Sequence, residues 1–283
     1  MNTFFNGNKN VFGITKSRRH KDSLIEYFDS MCYSDIANIL ENEKFIMEIN
    51  EKNGQRHPLI RYLIDHVKSK NNGARVYRGR SYDLAKDVIR EVEPKLTVFT
   101  GNDLALNCAM YDGLKGENGM LYDIKNVLKS YKEDDMIELE WKNGIDKKME
   151  MTILKQSGNP RLCFMIPKEM KMEDIFEQVL DRDNEILKIS MDGIMKYGCL
   201  AESFYYNHLQ PQFKIAKDEK ITCGFEGTEG DAEYGPKKGI SDAVVAVVDS
   251  GRTYKDAGLK IFDEIGPTYL VSAKCFRNEK KLF

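Results

Sequence analysis

Asp242-Ala243-Val244-Val245-Ala246-Val247-Val248-Asp249-Ser250-Gly251-Arg252-Thr253-Tyr254 is an apolar run that stops at an acidic residue and turns through Ser-Gly-x-Thr before Asp256 opens a helix-like pattern. A phosphate group suits such a turn. Glycine admits the backbone close to an anion, the Ser250 and Thr253 hydroxyls donate hydrogen bonds, and successive amide N–H groups at a helix start carry partial positive charge. Arg252 adds a charge-assisted bond. The same residues also make an ordinary junction, with Gly251 ending one element and the hydroxyls capping the next. The residues before the run favour the first reading, because Gly230-Asp231-Ala232-Glu233-Tyr234-Gly235-Pro236-Lys237-Lys238-Gly239-Ile240-Ser241-Asp242 joins the turn into one continuous pattern.

Outward from this stretch, short apolar runs alternate with amphipathic ones. Val11 to Ile14 reads as a strand, Lys16-Ser17-Arg18-Arg19 as a basic loop, and Asp22 to Ser30 as a helix. A polar stretch follows, then a strand at Phe45 to Ile49, a turn at Asn53-Gly54 and a helix from Pro58 through Lys68. A strand around Arg75 to Tyr77, a helix from Tyr82 to Glu91 and the run Leu96 to Phe99, ending in Thr100-Gly101-Asn102-Asp103, predict an α/β sheet with parallel strands. Alternating apolar residues on either side of Asn143-Gly144, from Asp135 to Trp141 and from Lys147 to Leu154, predict a β-hairpin. Beyond it come a strand at Leu162 to Pro167, a helix at Met172 to Leu180 and an aromatic-rich helix from Lys196 to Asn207. Gly224 to Gly239 is expected to be an exposed loop, followed by a helix from Ser241, the turn at Asp249 to Thr253, a second helix to Ile265 and a last strand at Tyr269 to Ser272.

The 283 residues give room for two lobes sharing a cleft. A composition of 41% hydrophobic and 31% charged residues is that of a globular chain rather than a disordered one. The formal net charge of -2 provides no global field toward nucleic acid or an anionic membrane, so an anion site has to be built locally. No apolar run with a small-residue cleavage site opens the chain, and none approaches the roughly 20 apolar residues of a membrane span. A cytoplasmic location is therefore expected. The six cysteines are scattered without a C-x-x-C pair and read as free thiols. His20, His57, His66 and His208 show no ligand spacing, and Trp141 reads as hairpin packing, so no resident metal site is expected.

The stretch from Gly230 to Leu259 resembles the signature of the ATP phosphoribosyltransferases, in which G-x-x-E-x-A-P-x-x-G-x-A-D leads into an apolar run, a T-G-x-T turn and a later glycine-leucine. The matching residues are Gly230, Glu233, Pro236, Gly239, Asp242, Gly251, Thr253 and Gly258-Leu259. Shorter likenesses follow in the family's order. Lys16 to Arg19 is similar to its K-G-R-L loop, Arg80 to Leu84 to its arginine-serine-aspartate segment, Leu96 to Asp103 to D-L-G-I-T-G-x-D, and Lys196 to Leu200 with Phe204 to K-Y-P-x-L and its aromatic pair.

The resemblance implies two α/β lobes of type II periplasmic-binding-protein-like architecture with the active site in the cleft between them. Lobe I would take residues 1–104 plus 266–283, and lobe II residues 105–265 with the phosphate loop. It implies transfer of a phosphoribosyl group from phosphoribosyl pyrophosphate to N1 of ATP, releasing pyrophosphate, the first step of histidine synthesis. Carried over by position, Lys16, Arg18 and Glu233 are the catalytic candidates. Asp249, Ser250, Gly251, Arg252 and Thr253 would cradle the 5-phosphate, Arg80 would face pyrophosphate or triphosphate, Gly101 and Asp103 would line the nucleotide side, and Asp242 would touch substrate. Magnesium would come bound to substrate phosphates. The resemblance implies a homo-oligomer; the chain ends about where the catalytic lobes finish, as in the family's short form, which works with a separate regulatory subunit.

Three departures stand out. Ala246 occupies the place of a second aspartate, and a methyl group cannot bind ribose hydroxyls. Ser17 and Arg19 replace the glycine and leucine of the basic loop. Some forty residues between Ser30 and Ala74, together with the hairpin, are additional. Two alternatives therefore accompany the main reading: a phosphoribosyltransferase with another acceptor, and a non-catalytic protein that binds nucleotide or ribose phosphate.

Overall fold

A computed structural model describes residues 10–15, 20–42, 62–63, 75–91, 95–115, 122–141, 147–154, 158–212, 221–228, 230–249 and 251–277. The chain is α/β, with two mixed sheets. The first has the order β2 (Tyr62–Leu63), β3 (Arg75–Gly79), β1 (Val11–Thr15), β4 (Leu96–Gly101), β12 (Leu270–Arg277), β6 (Lys147–Ile153) and β5 (Met136–Glu140). Its β3, β1 and β4 run parallel, as the alternation predicted. All five residues of β1 and all six of β4 are buried, which is why these segments read as unbroken apolar runs.

The second sheet has the order β11 (Leu259–Pro267), β7 (Arg161–Pro167), β10 (Ala243–Val248), β8 (Ile186–Met191) and β9 (Thr222–Gly227). Here β10, β8 and β9 are parallel, and β7 lies antiparallel to β10 and β11. Among the described residues, eight α-helices connect the strands: α1 (Lys21–Ser30), α2 (Ser34–Asn42), α3 (Ser81–Ile89), α4 (Asn102–Tyr111), α5 (Ile124–Ser130), α6 (Met172–Leu180), α7 (Ile194–Phe204) and the short α8 (Arg252–Asp256). None of the helices in the described residues is long and apolar enough to cross a membrane. The main core runs through both sheets, joining Val98, Met149 and Val271 of the first to Leu162, Leu187 and Ala243 of the second through Leu106 of α4 and Leu200 of α7.

The strands pass from the first sheet to the second after β6 and return after β11. These passages lie together: Leu154 N–H donates to the Leu270 carbonyl at 2.9 Å and Thr268 N–H to the Pro160 carbonyl at 2.9 Å. Asn102, fully buried at the start of α4, fastens the return. Its backbone N–H donates to the Tyr269 carbonyl at 2.9 Å, its Oδ1 accepts from Tyr269 N–H at 2.8 Å, and its Nδ2 reaches the Pro267 carbonyl at 3.4 Å.

Several expectations change. The run after Ser241 is a strand, β10, because four valines in six residues are stiff at χ1 and pack readily on a pleated surface between two neighbours. The helix expected to reach Ile265 stops at Asp256; Gly258 at φ +77° turns the chain, and β11 follows. Two irregularities in β11, between Ile261 and Asp263 and between Glu264 and Gly266, break its alternation and hide it from a period-two reading. Within the expected loop from Gly224 to Gly239, Thr222–Gly227 forms edge strand β9; a Cβ on Gly224 would sit 2.8 Å from Ile186 Cγ2, so glycine permits the close pairing. Tyr62–Leu63 pairs antiparallel with β3, inside the helix expected from Pro58 to Lys68. The strand expected at Phe45 to Ile49 lies outside the described residues.

Hairpin β5–β6 forms as expected. It falls within the 105–265 span assigned to lobe II, yet β6 pairs with β12 and extends the first sheet. Met149, Met151 and Ile153, all fully buried, supply the apolar face that holds it there. Helix α2, in the stretch that reads as polar, places Ile36, Ala37 and Leu40 over an aromatic cluster of Phe12, Phe28, Tyr33 and Phe99.

Lys147, 6% exposed, ties three elements at the base of the hairpin. Its ammonium donates to the Ile89 carbonyl at the end of α3, pairs with Asp112 Oδ2 at 2.6 Å and lies 4.9 Å from the Trp141 ring centroid. Lys147→Met keeps the stem but leaves a carbonyl and a carboxylate without this partner, so a loss of about 2 kcal/mol is expected in urea unfolding. An unchanged midpoint would remove Lys147 from this role. The thiols provide a second prediction. Burial pushes Cys108, Cys223 and Cys275 up to about 12 and Cys163 and Cys199 up to about 11, whereas Cys32 is exposed. At neutral pH these five stay protonated and unreactive. A thiol-specific chromogenic reagent should find one fast thiol in the folded protein and six after denaturation.

Candidate functional site

The carboxyl ends of β8, β9 and β10 lie along one edge of the second sheet, the place where α/β folds bind ligands. The Asp249 to Thr253 turn continues directly from β10. Gly251 adopts φ +74°, a left-handed conformation that only glycine takes without strain, and no side chain caps α8 there. A Cβ on Gly251 would lie 3.1 Å from the Tyr254 ring. Asp249 and Thr253 are exposed, and the Arg252 side chain is 87% exposed with only a loose 3.8 Å approach to Asp256. Ser250 lies outside the described residues. Because α8 has five residues, its dipole adds little, and support for an anion falls to the turn's own amides, the Thr253 hydroxyl and Arg252.

The segment before β10 is pinned across the same sheet. Gly230 N–H donates to Asp192 Oδ1 at 3.0 Å, just beyond the carboxyl end of β8. A 3-10 turn, Ala232–Tyr234, follows; Ala232 is buried and Glu233 half-buried. Val244, Ala246 and Val248 share a small apolar cluster with Ala232 and Ala257, against which Tyr234 and Tyr254 pack. The residues around Glu233, Ala246 and the Gly251 turn therefore occupy one face of the sheet.

Asp242 is placed elsewhere. It stands at the amino end of β10, a six-residue strand, so roughly 20 Å separates it from the turn. Its carboxylate accepts both Arg182 guanidinium nitrogens, at 2.8 and 2.6 Å, and the Lys188 N–H at 2.9 Å. The paired carboxylate in turn raises the Arg182 pKa, chiefly through that hydrogen bonding. An open polar depression of about 530 Å³, lined by Asp181, Arg182, Lys188 and Asp242 among others, lies at this end, away from the turn. Such bonding describes a fastener of β10 to β8 rather than a group presented at the turn.

The other candidates gather on the first sheet. Thr15, Gly79 and Gly101 end the parallel β1, β3 and β4. Thr15 Oγ1 meets Ser81 Oγ at 2.6 Å, and Thr100 Oγ1 donates to the Ser81 carbonyl at 2.7 Å, so the three strand ends are tied together. Arg80 is exposed and extended, its carbonyl accepting from Leu84 N–H at 3.1 Å to open α3. Asp103 is 4% exposed and folds back over Gly101, where a Cβ would collide with its Oδ1. Lys16 and Arg18 follow β1 in sequence but lie outside the described residues. Sequence reasoning missed Asn102, Asp192, Ser190 and Ser241; for Ser190 the available signal was a lone hydroxyl between Ile189 and Met191 in an otherwise apolar strand end.

A family model described as ATP phosphoribosyltransferase matches residues 133–282. Relatives include the ATP phosphoribosyltransferases of Bacillus cereus strain AH187 and Bacillus anthracis strain A0248, each 29% identical over 128 residues, covering 42% of this chain. The chain spans 57% of the length of these relatives. Among solved structures, an ATP phosphoribosyl transferase complex from Thermotoga maritima is similar with a TM-score of 0.46 and 15% identity, covering 95% of this chain and 87% of that one. A binding component of a phosphonate transporter from Pseudomonas aeruginosa gives a TM-score of 0.37 at 10% identity, covering 97% and 70%. Since the family match takes in β5 to β12, including Glu233, the Gly251 turn and more than half of the 283 residues, the chain belongs to the ATP phosphoribosyltransferase family.

Proposed function

We propose that this chain transfers a phosphoribosyl group from phosphoribosyl pyrophosphate to N1 of ATP, releasing pyrophosphate. The observation that carries this reading is the left-handed Gly251 turn at the carboxyl end of β10, inside the family-matched segment and flanked by exposed Arg252 and Thr253. In this reading the turn's amides and Arg252 hold the 5-phosphate, and the Arg80 and Asp103 edge of the first sheet lines the nucleotide side. Lys16 and Arg18 neutralise the leaving pyrophosphate. A developing oxocarbenium ion asks little covalent help, so the residues act by alignment and charge neutralisation.

Magnesium fits as an ion carried mainly by the diphosphate oxygens, whose charge it neutralises; the exposed Asp249 carboxylate beside the turn is of the hard-oxygen type that suits it. The type II binding-protein-like arrangement of two lobes, the cytoplasmic location and the homo-oligomer with a separate regulatory subunit belong to the same proposal. They are supported by the two-sheet topology and the family match.

Ala246 favours a second reading, a phosphoribosyltransferase with another acceptor. It is 7% exposed and packed among apolar side chains, so that wall offers no carboxylate to ribose hydroxyls.

Incubation with ATP, phosphoribosyl pyrophosphate and magnesium should release pyrophosphate and produce an N1-substituted adenine chromophore. Turnover only with a different acceptor supports the second reading. No turnover, with either ligand raising the melting temperature, leaves a binding protein. Gly251→Val adds bulk and forces a β-branched residue to positive φ, and should weaken donor binding by about 2 kcal/mol or more. Unchanged donor affinity in calorimetry would sink the phosphate-turn assignment.

A further inference from the structure

Two hydroxyls lie in the interior beneath the Glu233 turn. Ser190 is fully buried in β8 and Ser241 is 7% exposed just before β10. Ser241 Oγ donates to Ser190 Oγ at 2.9 Å, and Ser190 Oγ donates to the Ala232 carbonyl at 2.9 Å. Each proton thus has an acceptor, and the relay ends on the carbonyl of the residue preceding Glu233, with the Ala243 carbonyl of β10 a second, longer acceptor at 3.3 Å. Directly over the pair sits Gly235. A Cβ there would fall 2.5 Å from Ser190 Oγ, 2.5 Å from Ser241 Oγ and 2.9 Å from Ser190 Cβ, closer than real Cβ atoms approach. The turn is closed around this contact by Gly235 N–H to the Ala232 carbonyl at 3.0 Å and Ile240 N–H to the Gly235 carbonyl at 3.0 Å.

We propose that Ser190 and Ser241 are positioning residues, whose paired hydroxyls, seated against the bare Cα of Gly235, set the place of the Glu233 turn over the sheet. This rests on the reading of Glu233 as a residue that faces substrate. The physical ground is the cost of a buried polar group without a partner. The buried Ser190 hydroxyl lies between the Ala232 and Ala243 carbonyls, at 2.9 and 3.3 Å, and its shorter bond to the first holds the Ala232 carbonyl close to β8. Apolar contact of Ala232 with Val244 and Ala246 would leave the turn free to slide along β10, whereas the directional hydroxyl bond does not. Any side chain at 235 would displace both oxygens and lift the turn, and with it the backbone that carries Glu233.

The lock is tested by hydrogen exchange on Ser190→Ala and Gly235→Ala. Both should speed exchange of the Gly235 and Ile240 amides about tenfold while β10 amides stay as in the wild type. Unaltered exchange at 235 and 240 overturns the lock, and equal acceleration across β10 shows only general loosening and also overturns it. The action through Glu233 is tested by a double-mutant cycle on kcat/KM. Ser190→Ala and Glu233→Gln should each lower it, and the double variant should fall within about twofold of Glu233→Gln alone. Multiplying effects would show that Ser190 acts independently of Glu233. If the wild type turns over no ATP, the proposed reaction fails by itself; the exchange result still decides the lock, and the cycle is then read as phosphoribosyl pyrophosphate affinity in calorimetry.

Discussion

The buried amide of Asn102 is the constraint on which the relation between the two sheets rests. A chain that crosses between sheets exposes backbone groups that belong to neither ladder, and in a dry interior each of these needs a partner. Asn102 serves three such groups on the returning segment from Pro267 to Tyr269, while also ending β4 beside Gly101. The residue that opens α4 at one candidate ligand edge therefore also holds the passage to the sheet that carries the other. The proposed reaction between two anionic substrates would depend on that registry, because its barrier would fall mainly through alignment.

Charge follows the same division of labour. With a net charge of -2 the chain has no long-range pull on anions, so individual cations have to do this locally. Several basic residues are committed to structure: Arg182 to Asp242, Lys147 to Asp112 and the end of α3, and Lys196 to Asp192. Arg80 and Arg252 instead project from strand-end turns into solvent. Their exposure fits groups that exchange water for phosphate, and an ion pair buried beforehand would oppose that exchange through its desolvation and pairing energy.

The parallel strands of the first sheet, the hairpin and the α/β class were legible because each has a clean signature: fully apolar buried runs, or strict alternation around Asn143-Gly144. β11 was not, since two register breaks scramble the facing of its side chains, and β9 was not, since three glycines in and around it read as loop. β10 reads equally as a helix because six apolar residues contain no period that separates the two; the valines and the central place in the sheet decide it. At the candidate site, the Gly251 turn is readable from local residue types, whereas Arg80 and Asp103 come only from the family resemblance. Lys188 and Arg182, which hold Asp242, and Ser190, which meets Gly235, were not legible, because they lie in and just before β8, about 45 to 60 residues away in the chain, and pairing at that separation leaves no local trace.

A sequence signature treats its positions alike, and the geometry separates them. Gly251, Arg252 and Thr253 stand at the carboxyl edge in the solvent-accessible turn. Gly235, Ser241 and Asp242 of the same pattern turn toward β8, where they meet Ser190, Arg182 and the Lys188 amide. Asp242 is thus recognisable with the residues of the Gly251 turn yet does the work of a strand anchor about one strand length from them. Both kinds of position serve one end in the proposed function: a turn meant to grip an anion by backbone amides needs the strand beneath it fixed at its far end, since a slip of one residue in β10 would reverse every side chain on both of its faces and carry Gly251 out of place.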